Sequence, residues 1–175
     1  MRFREIVTEQ RSDWVERFAE LGIQDAEDYF YNWMHRGQFK LSNDQMDRYE
    51  AAFYLIRSVL PDSVIQSYGR LPVMYRGMRF PKQTLQKLNH GGIPIKSKIM
   101  AWTPYKKNAS SYAFHGSGLI LKHQPQQQEV VLSLNKETIN FLHLPKKYWI
   151  ANPGETILSL PILNITPEMV DQIIQ

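Results

Sequence analysis

The sequence predicts an α+β domain in which a helical N-terminal layer packs on a mostly antiparallel β-sheet. Apolar residues recur at helical spacing up to about residue 70, and from Leu71 the chain turns to short β-type runs separated by Gly, Pro and Asn. No Gly- or Ser-rich linker divides these two parts, so one domain is expected over residues 1–175, with a helical lobe at 1–70 and a β-rich core at 71–175. At 175 residues, with 43% hydrophobic and 22% charged, the chain is long enough for one core and unlike disordered sequences.

Ser12 and Asp13 open a first helix through Leu21, which Gly22 stops, and a second runs from about Asp25 to Arg36 with Gly37 as its C-terminal stop. Ser42 with Gln45 forms a capping box for a third, in which Met46, Tyr49, Phe53, Ile56 and Leu60 share one face before Pro61. Trp14, Phe18, Trp33 and Met34 read as core by the same periodicity. Strands are expected at about Val73–Arg76, Lys96–Trp102, Gly118–His123, Glu129–Leu134, Tyr148–Ala151 and Thr156–Ile165. Helices are expected near Pro81–Leu88 and Lys107–Phe114, and Thr166-Pro167-Glu168 predicts a short terminal helix over Met169–Ile174.

Formal net charge is +4, and it is unevenly spread. Residues 1–70 carry 9 basic and 12 acidic side chains, whereas residues 71–175 carry 12 basic and only 5 acidic ones, a net of +7. A field of that sign favours an anionic ligand such as a dinucleotide, RNA or DNA, or else is simply a solvated surface. The only carboxylates of the second part are Glu129, Glu137, Glu155, Glu168 and Asp171. The longest apolar runs, such as Ile157–Leu163, fall far short of the roughly 18 residues that span a bilayer, and Met1–Glu9 is too charged for a signal peptide. A cytoplasmic protein without membrane partners is therefore expected. Cysteine is absent, which excludes disulfides, thiolate nucleophiles and Cys-rich zinc sites.

The sequence contains no G-x-G-x-x-G, no G-x-x-x-x-G-K-[ST], no H-E-x-x-H and no G-x-S-x-G. Its five histidines, at 35, 90, 115, 123 and 143, lack ligand spacing, so no metal is expected. Three places put an unusual polar residue at a strand end. In Tyr75-Arg76-Gly77, arginine closes an apolar run beside a glycine that allows close backbone approach. Met100-Ala101-Trp102-Thr103-Pro104 leads into a helix that presents Ala109 and Tyr112. Pro153-Gly154-Glu155 delivers a lone carboxylate onto the apolar run Thr156-Ile157-Leu158. Taken singly, Arg76 reads as a surface arginine before a turn and Thr103 as a helix N-cap, while Glu155 reads either as a functional carboxylate or as a solvated strand end.

Together the three resemble the Arg-Ser-Glu signature of mono-ADP-ribosyltransferases, the toxin and phage enzymes that use NAD. That family's second motif is similar to S-[TAS]-S followed by a helix with A-x-x-F, its alanine six residues after the second hydroxyl. Here Thr103 and Ala109 keep that interval, and Tyr112 stands where the Phe would. In phage members of the Alt and Mod type the third motif resembles E-x-E-V-I-L-P, to which Pro153-Gly154-Glu155-Thr156-Ile157-Leu158 is similar. The resemblance covers residues 73 to about 162. It departs from the family at Ala101, which holds the first hydroxyl position, and at Pro153, which replaces the residue associated with recognising an acceptor arginine or asparagine.

The resemblance implies a split β-sheet of ADP-ribosyltransferase type, NAD as co-substrate and no metal. It implies that Glu155 stabilises the positive charge developing on the ribose and holds its 2′-hydroxyl, that Arg76 faces a phosphate or ribose, that the Gly77 backbone contacts the nicotinamide amide, and that Thr103 steadies the glutamate. Phe114 is the first candidate to pack on nicotinamide, followed by Tyr105 and Tyr112, with core packing preferred for Tyr112. Lys146, Lys147, Tyr148 and Trp149 occupy the place of the family's acceptor-recognition loop, and suit a nucleic-acid or acidic-protein acceptor or simply a capped strand end. The implied activity is transfer of ADP-ribose to a host macromolecule, protein or nucleic acid, by a phage or bacterial enzyme. Two alternatives stand beside it: NAD hydrolysis on the same fold, and a non-enzymatic basic binding module. The latter expects Lys106, Lys107, Lys146 and Lys147 on one surface and Glu155 in solvent away from Arg76. Oligomeric state is unread.

Overall fold

The computed structural model describes residues 42–95, 99–113, 117–142, 150, 153–160 and 164–174. The two helices expected before residue 41 lie outside the described residues. The third forms as α1 (Asn43–Val59), where Ser42 and Gln45 exchange hydrogen bonds at 2.9 and 3.3 Å in the expected capping box. Its stripe of Ala52, Phe53 and Ile56 is buried against the core, and the helix packs on β5 (Val130–Ser133). Pro61 does more than end α1: it caps a short further helix, α2 (Asp62–Ser67), which runs into a 3₁₀ turn at Tyr68–Arg70. A second helix missed in the sequence, α5 (Lys136–Leu142), starts where the Asn135 side chain accepts the Thr138 N–H at 2.9 Å, an N-cap signal that was readable.

Among the described residues two three-stranded antiparallel sheets and a two-stranded ribbon follow, so the α+β class holds. In the first sheet β4 (Gly118–His123) is central, between β1 (Met74–Arg79) and β8 (Val170–Ile174). In the second, β6 (Thr156–Ser159) is central, between β3 (Ile99–Trp102) and β5. The ribbon pairs β2 (Ile93–Pro94) with β7 (Asn164–Ile165). An antiparallel bridge between Tyr75 and Thr103 joins the edges of the two sheets, through N–H···O=C bonds of 2.7 and 2.9 Å. Helix α4 (Lys106–Ala113) lies on β1 and β4, and α3 (Lys82–Gln86), continued by a 3₁₀ turn at Lys87–Asn89, links β1 to β2. Among the described residues the largest fully buried side chains are Trp102, Tyr68 and Phe53, which belong to the main hydrophobic core.

Three expectations are corrected. The terminal segment is a strand rather than a helix: Thr166-Pro167 opens only the 3₁₀ turn Pro167–Met169, after which Val170–Ile174 pairs with β4. So short a helix sustains itself poorly, whereas β4 offers a full ladder to a β-branched run. Asp171 then fastens the strand by ion pairs to Lys106 and Lys122 at 2.6 and 3.4 Å. The single strand expected over Thr156–Ile165 is two, in different sheets, since Pro161 has no N–H to give a ladder. The first strand does not stop at Arg76 but runs to Arg79, which places Arg76 in mid-strand. The strand expected at Tyr148–Ala151 falls almost wholly outside the described residues.

Helix α4 and β1 touch backbone to backbone. A Cβ built on Gly77 falls 1.8 Å from the carbonyl oxygen of Ala109, so no larger residue fits without moving the helix. Gly77→Ala is expected to lower stability by about 3 kcal/mol or more, measured by urea unfolding, because the clash is with main chain and not with a side chain that can swing away. Stability within about 0.5 kcal/mol of wild type would show that α4 does not sit this close.

Candidate active site

The site is built where the two sheets join. Thr103 and Glu155 leave the β3–β6 ladder at the same end, beyond the Trp102–Thr156 pair, and the Thr103 bridge brings in β1 and with it Arg76. Arg76 and Glu155 are both buried, at 9% and 5% exposed, as is Thr103. Arg76 donates from Nη1 to the carbonyl of Ala101 at 2.6 Å, which fixes its planar head against β3. At position 101 it is thus the main-chain carbonyl that meets the arginine.

Burial pushes the Arg76 guanidinium down to about 10, while the neighbouring Glu155 charge and the Tyr112 phenol act in the opposite sense. The side chain is still a cation at neutral pH. The carbonyl of Glu155 accepts the Leu134 N–H at 2.7 Å, tying the residue to the end of β5. Gly154 turns the chain just before it with φ of +74°, and a Cβ there would lie 3.0 Å from Cγ of Pro104. Glycine at 154 thus serves both the turn and its seating against the segment that carries Thr103. The Thr103 hydroxyl accepts the Tyr105 N–H at 3.2 Å, which closes a turn two residues long rather than capping the helix as the sequence suggested, since α4 begins only at Lys106 and its first bonds go to the Tyr105 carbonyl.

Tyr112 is corrected from core to surface. It is 49% exposed on α4, and its phenol is raised first by partial burial and then by the Glu155 charge, with Arg76 pulling the other way. The ring therefore stands near both charged groups at the protein surface. Its intermediate polarity was the available signal, because a tyrosine fits a half-wet position better than a phenylalanine does. Tyr105 is also exposed, at 51%. The close approach at Gly77 goes to α4 on its Cβ side. Phe114, Lys146, Lys147, Tyr148 and Trp149 lie outside the described residues.

Lys106 is paired with Asp171 and Lys107 is exposed, while Glu155 is buried within electrostatic reach of Arg76 rather than in solvent. Among the described residues no three His, Asp or Glu side chains converge as a metal site would require, and no helix is long and apolar enough to cross a membrane. Comparison with known proteins returns no matching family model, no matching curated protein and no matching solved structure.

Two opposite charges buried within electrostatic reach of one another are interdependent. Arg76→Met is expected to destabilise the protein by about 3 kcal/mol, by leaving Glu155 buried without its cation, and combining it with Glu155→Gln is expected to recover at least about 1 kcal/mol of that loss. Denaturant unfolding of the four proteins in the cycle measures the coupling. Strict additivity would contradict it.

Proposed function

We propose that the chain is an NAD-dependent mono-ADP-ribosyltransferase with an ADP-ribosyltransferase-type split sheet, which modifies a macromolecular acceptor and releases nicotinamide. The observation that carries this reading is Glu155: a carboxylate buried to 5% exposure, coupled to Arg76, and bordered by a half-exposed aromatic. A carboxylate with no other work is commonly solvated, and burying one is costly unless something nearby uses or balances its charge. The residue set also suits the dinucleotide chemically. Arg76 supplies a persistent cation for a phosphate or ribose oxygen, Glu155 an acceptor for a ribose hydroxyl, and exposed Tyr112 and Tyr105 supply faces for a planar ring.

In this reaction the bond between the nicotinamide nitrogen and ribose C1′ breaks, and its electron pair leaves with neutral nicotinamide. The positive charge that develops on the ribose is stabilised by the Glu155 carboxylate, as in glycoside cleavage. An acceptor oxygen or nitrogen then bonds to C1′ and gives up its proton to solvent. Arg76 orients the dinucleotide, and Thr103 steadies the strand end opposite the glutamate. Water in place of the acceptor makes the same site an NAD glycohydrolase.

The test is incubation with labelled NAD and bacterial lysate beside Glu155→Gln, which removes charge while keeping shape. Wild type is expected to release nicotinamide and label a macromolecule, with the variant slower by about two orders of magnitude or more. Nicotinamide release without labelling would assign hydrolysis. Neither release nor NAD binding would overturn the enzymatic reading in favour of a basic binding module.

A further inference from the structure

Behind Glu155 lies a buried pair of hydroxyls that neither the fold nor the chemistry above accounts for. Ser133 and Thr156 face each other across the β5–β6 ladder, both wholly buried, with their oxygens 2.8 Å apart. Thr156 Oγ1 also lies 3.0 Å from the carbonyl oxygen of Gly154. A carbonyl only accepts, so the single Thr156 proton goes to Gly154, and the bond between the hydroxyls must then be donated by Ser133. The order is fixed: Ser133 to Thr156 to the turn that carries Glu155. On the far side Tyr68, also wholly buried, bonds to the Ser133 main chain and, at 3.0 Å, to the Thr138 hydroxyl, so the chain of polar groups continues into the helical layer.

Such a chain is not what the sheet needs. Position 156 opens the apolar run Thr156-Ile157-Leu158, where valine has the same shape, the same preference for a strand and no hydroxyl to desolvate. What the hydroxyl adds is a hold on the Gly154 carbonyl. With the Leu134 N–H on the Glu155 carbonyl, it clamps the peptide units on both sides of the Glu155 Cα.

We infer that Ser133 and Thr156 are positioning residues, which fix the carboxylate of Glu155 through the Gly154 carbonyl and so act on the chemical step rather than on NAD binding. This rests on the activity proposed above.

The experiment compares Thr156→Val, Thr156→Ser and Ser133→Ala with wild type in NAD turnover, thermal melting and crystal structures. Thr156→Val is expected to lower kcat about tenfold or more while KM for NAD stays within about twofold, since loss of alignment acts in the transition state. Thr156→Ser keeps the hydroxyl and is expected to restore kcat to within about threefold of wild type, and Ser133→Ala, a second variant should Thr156→Val fail to fold, to fall between. An unchanged kcat in folded Thr156→Val, an equal loss in Thr156→Ser, or a rise in KM alone would each overturn the inference. If the wild type consumes no NAD, the proposed activity fails and the crystal structures decide this inference by themselves. A Glu155 carboxylate displaced by about 1 Å or more in Thr156→Val or Ser133→Ala then supports it, and an unmoved one overturns it.

Discussion

Two backbone hydrogen bonds between Tyr75 and Thr103 make one structure out of two sheets. Each sheet alone is three strands with exposed edges, and each carries only part of the site: Arg76 on the first, Thr103 and Glu155 on the second. Joining β1 to the end of β3 brings these residues to a common place and lets α4 cover the junction from the side of the first sheet. Glycines make this possible: Gly77 lets the α4 backbone lie directly on β1, and Gly154 lets the turn sit against the Pro104 ring.

The same arrangement explains how a charged group is kept away from water. Arg76 is held by the Ala101 carbonyl and balanced by Glu155, so burial weakens its basicity without removing its charge at neutral pH. Glu155 in turn is held through its main chain, by Leu134 on one side and the Gly154 turn on the other. On the proposed reading, a residue whose main chain is held in this way has less to reorganise as positive charge develops beside its carboxylate, which is the condition under which electrostatic stabilisation is strongest. The exposed ring of Tyr112 on α4 provides apolar surface within electrostatic reach of that charge, and Tyr105 is exposed just ahead of the helix.

Features decided within a few residues were legible from the sequence. The capping box at Ser42 and Gln45 located α1, and the helix expected from Lys107 starts within one residue of the observed α4. Features decided by partners distant in sequence were not. Whether Val170–Ile174 coils or pairs depends on the open edge of β4, and although Pro161 was a local sign that Thr156–Ile165 breaks, which sheet each half joins depends on distant partners. The same limit applied to the site. Arg76, Thr103 and Glu155 were singled out by their local settings and by the family resemblance, but the exposure of Tyr112 and the facing of Ser133 with Thr156 follow from tertiary packing and strand register, which local pattern does not encode.

The claim on which the account turns is that the Tyr75–Thr103 junction is where a dinucleotide binds. A crystal structure of Glu155→Gln soaked with NAD addresses it directly, because the variant keeps the shape of the site while slowing turnover. The account predicts density with the nicotinamide ribose against residue 155, Arg76 on a phosphate or ribose oxygen, and a ring of α4 or its flank beside the base. Dinucleotide density at another place on the surface, with residues 76, 103 and 155 untouched, would contradict it.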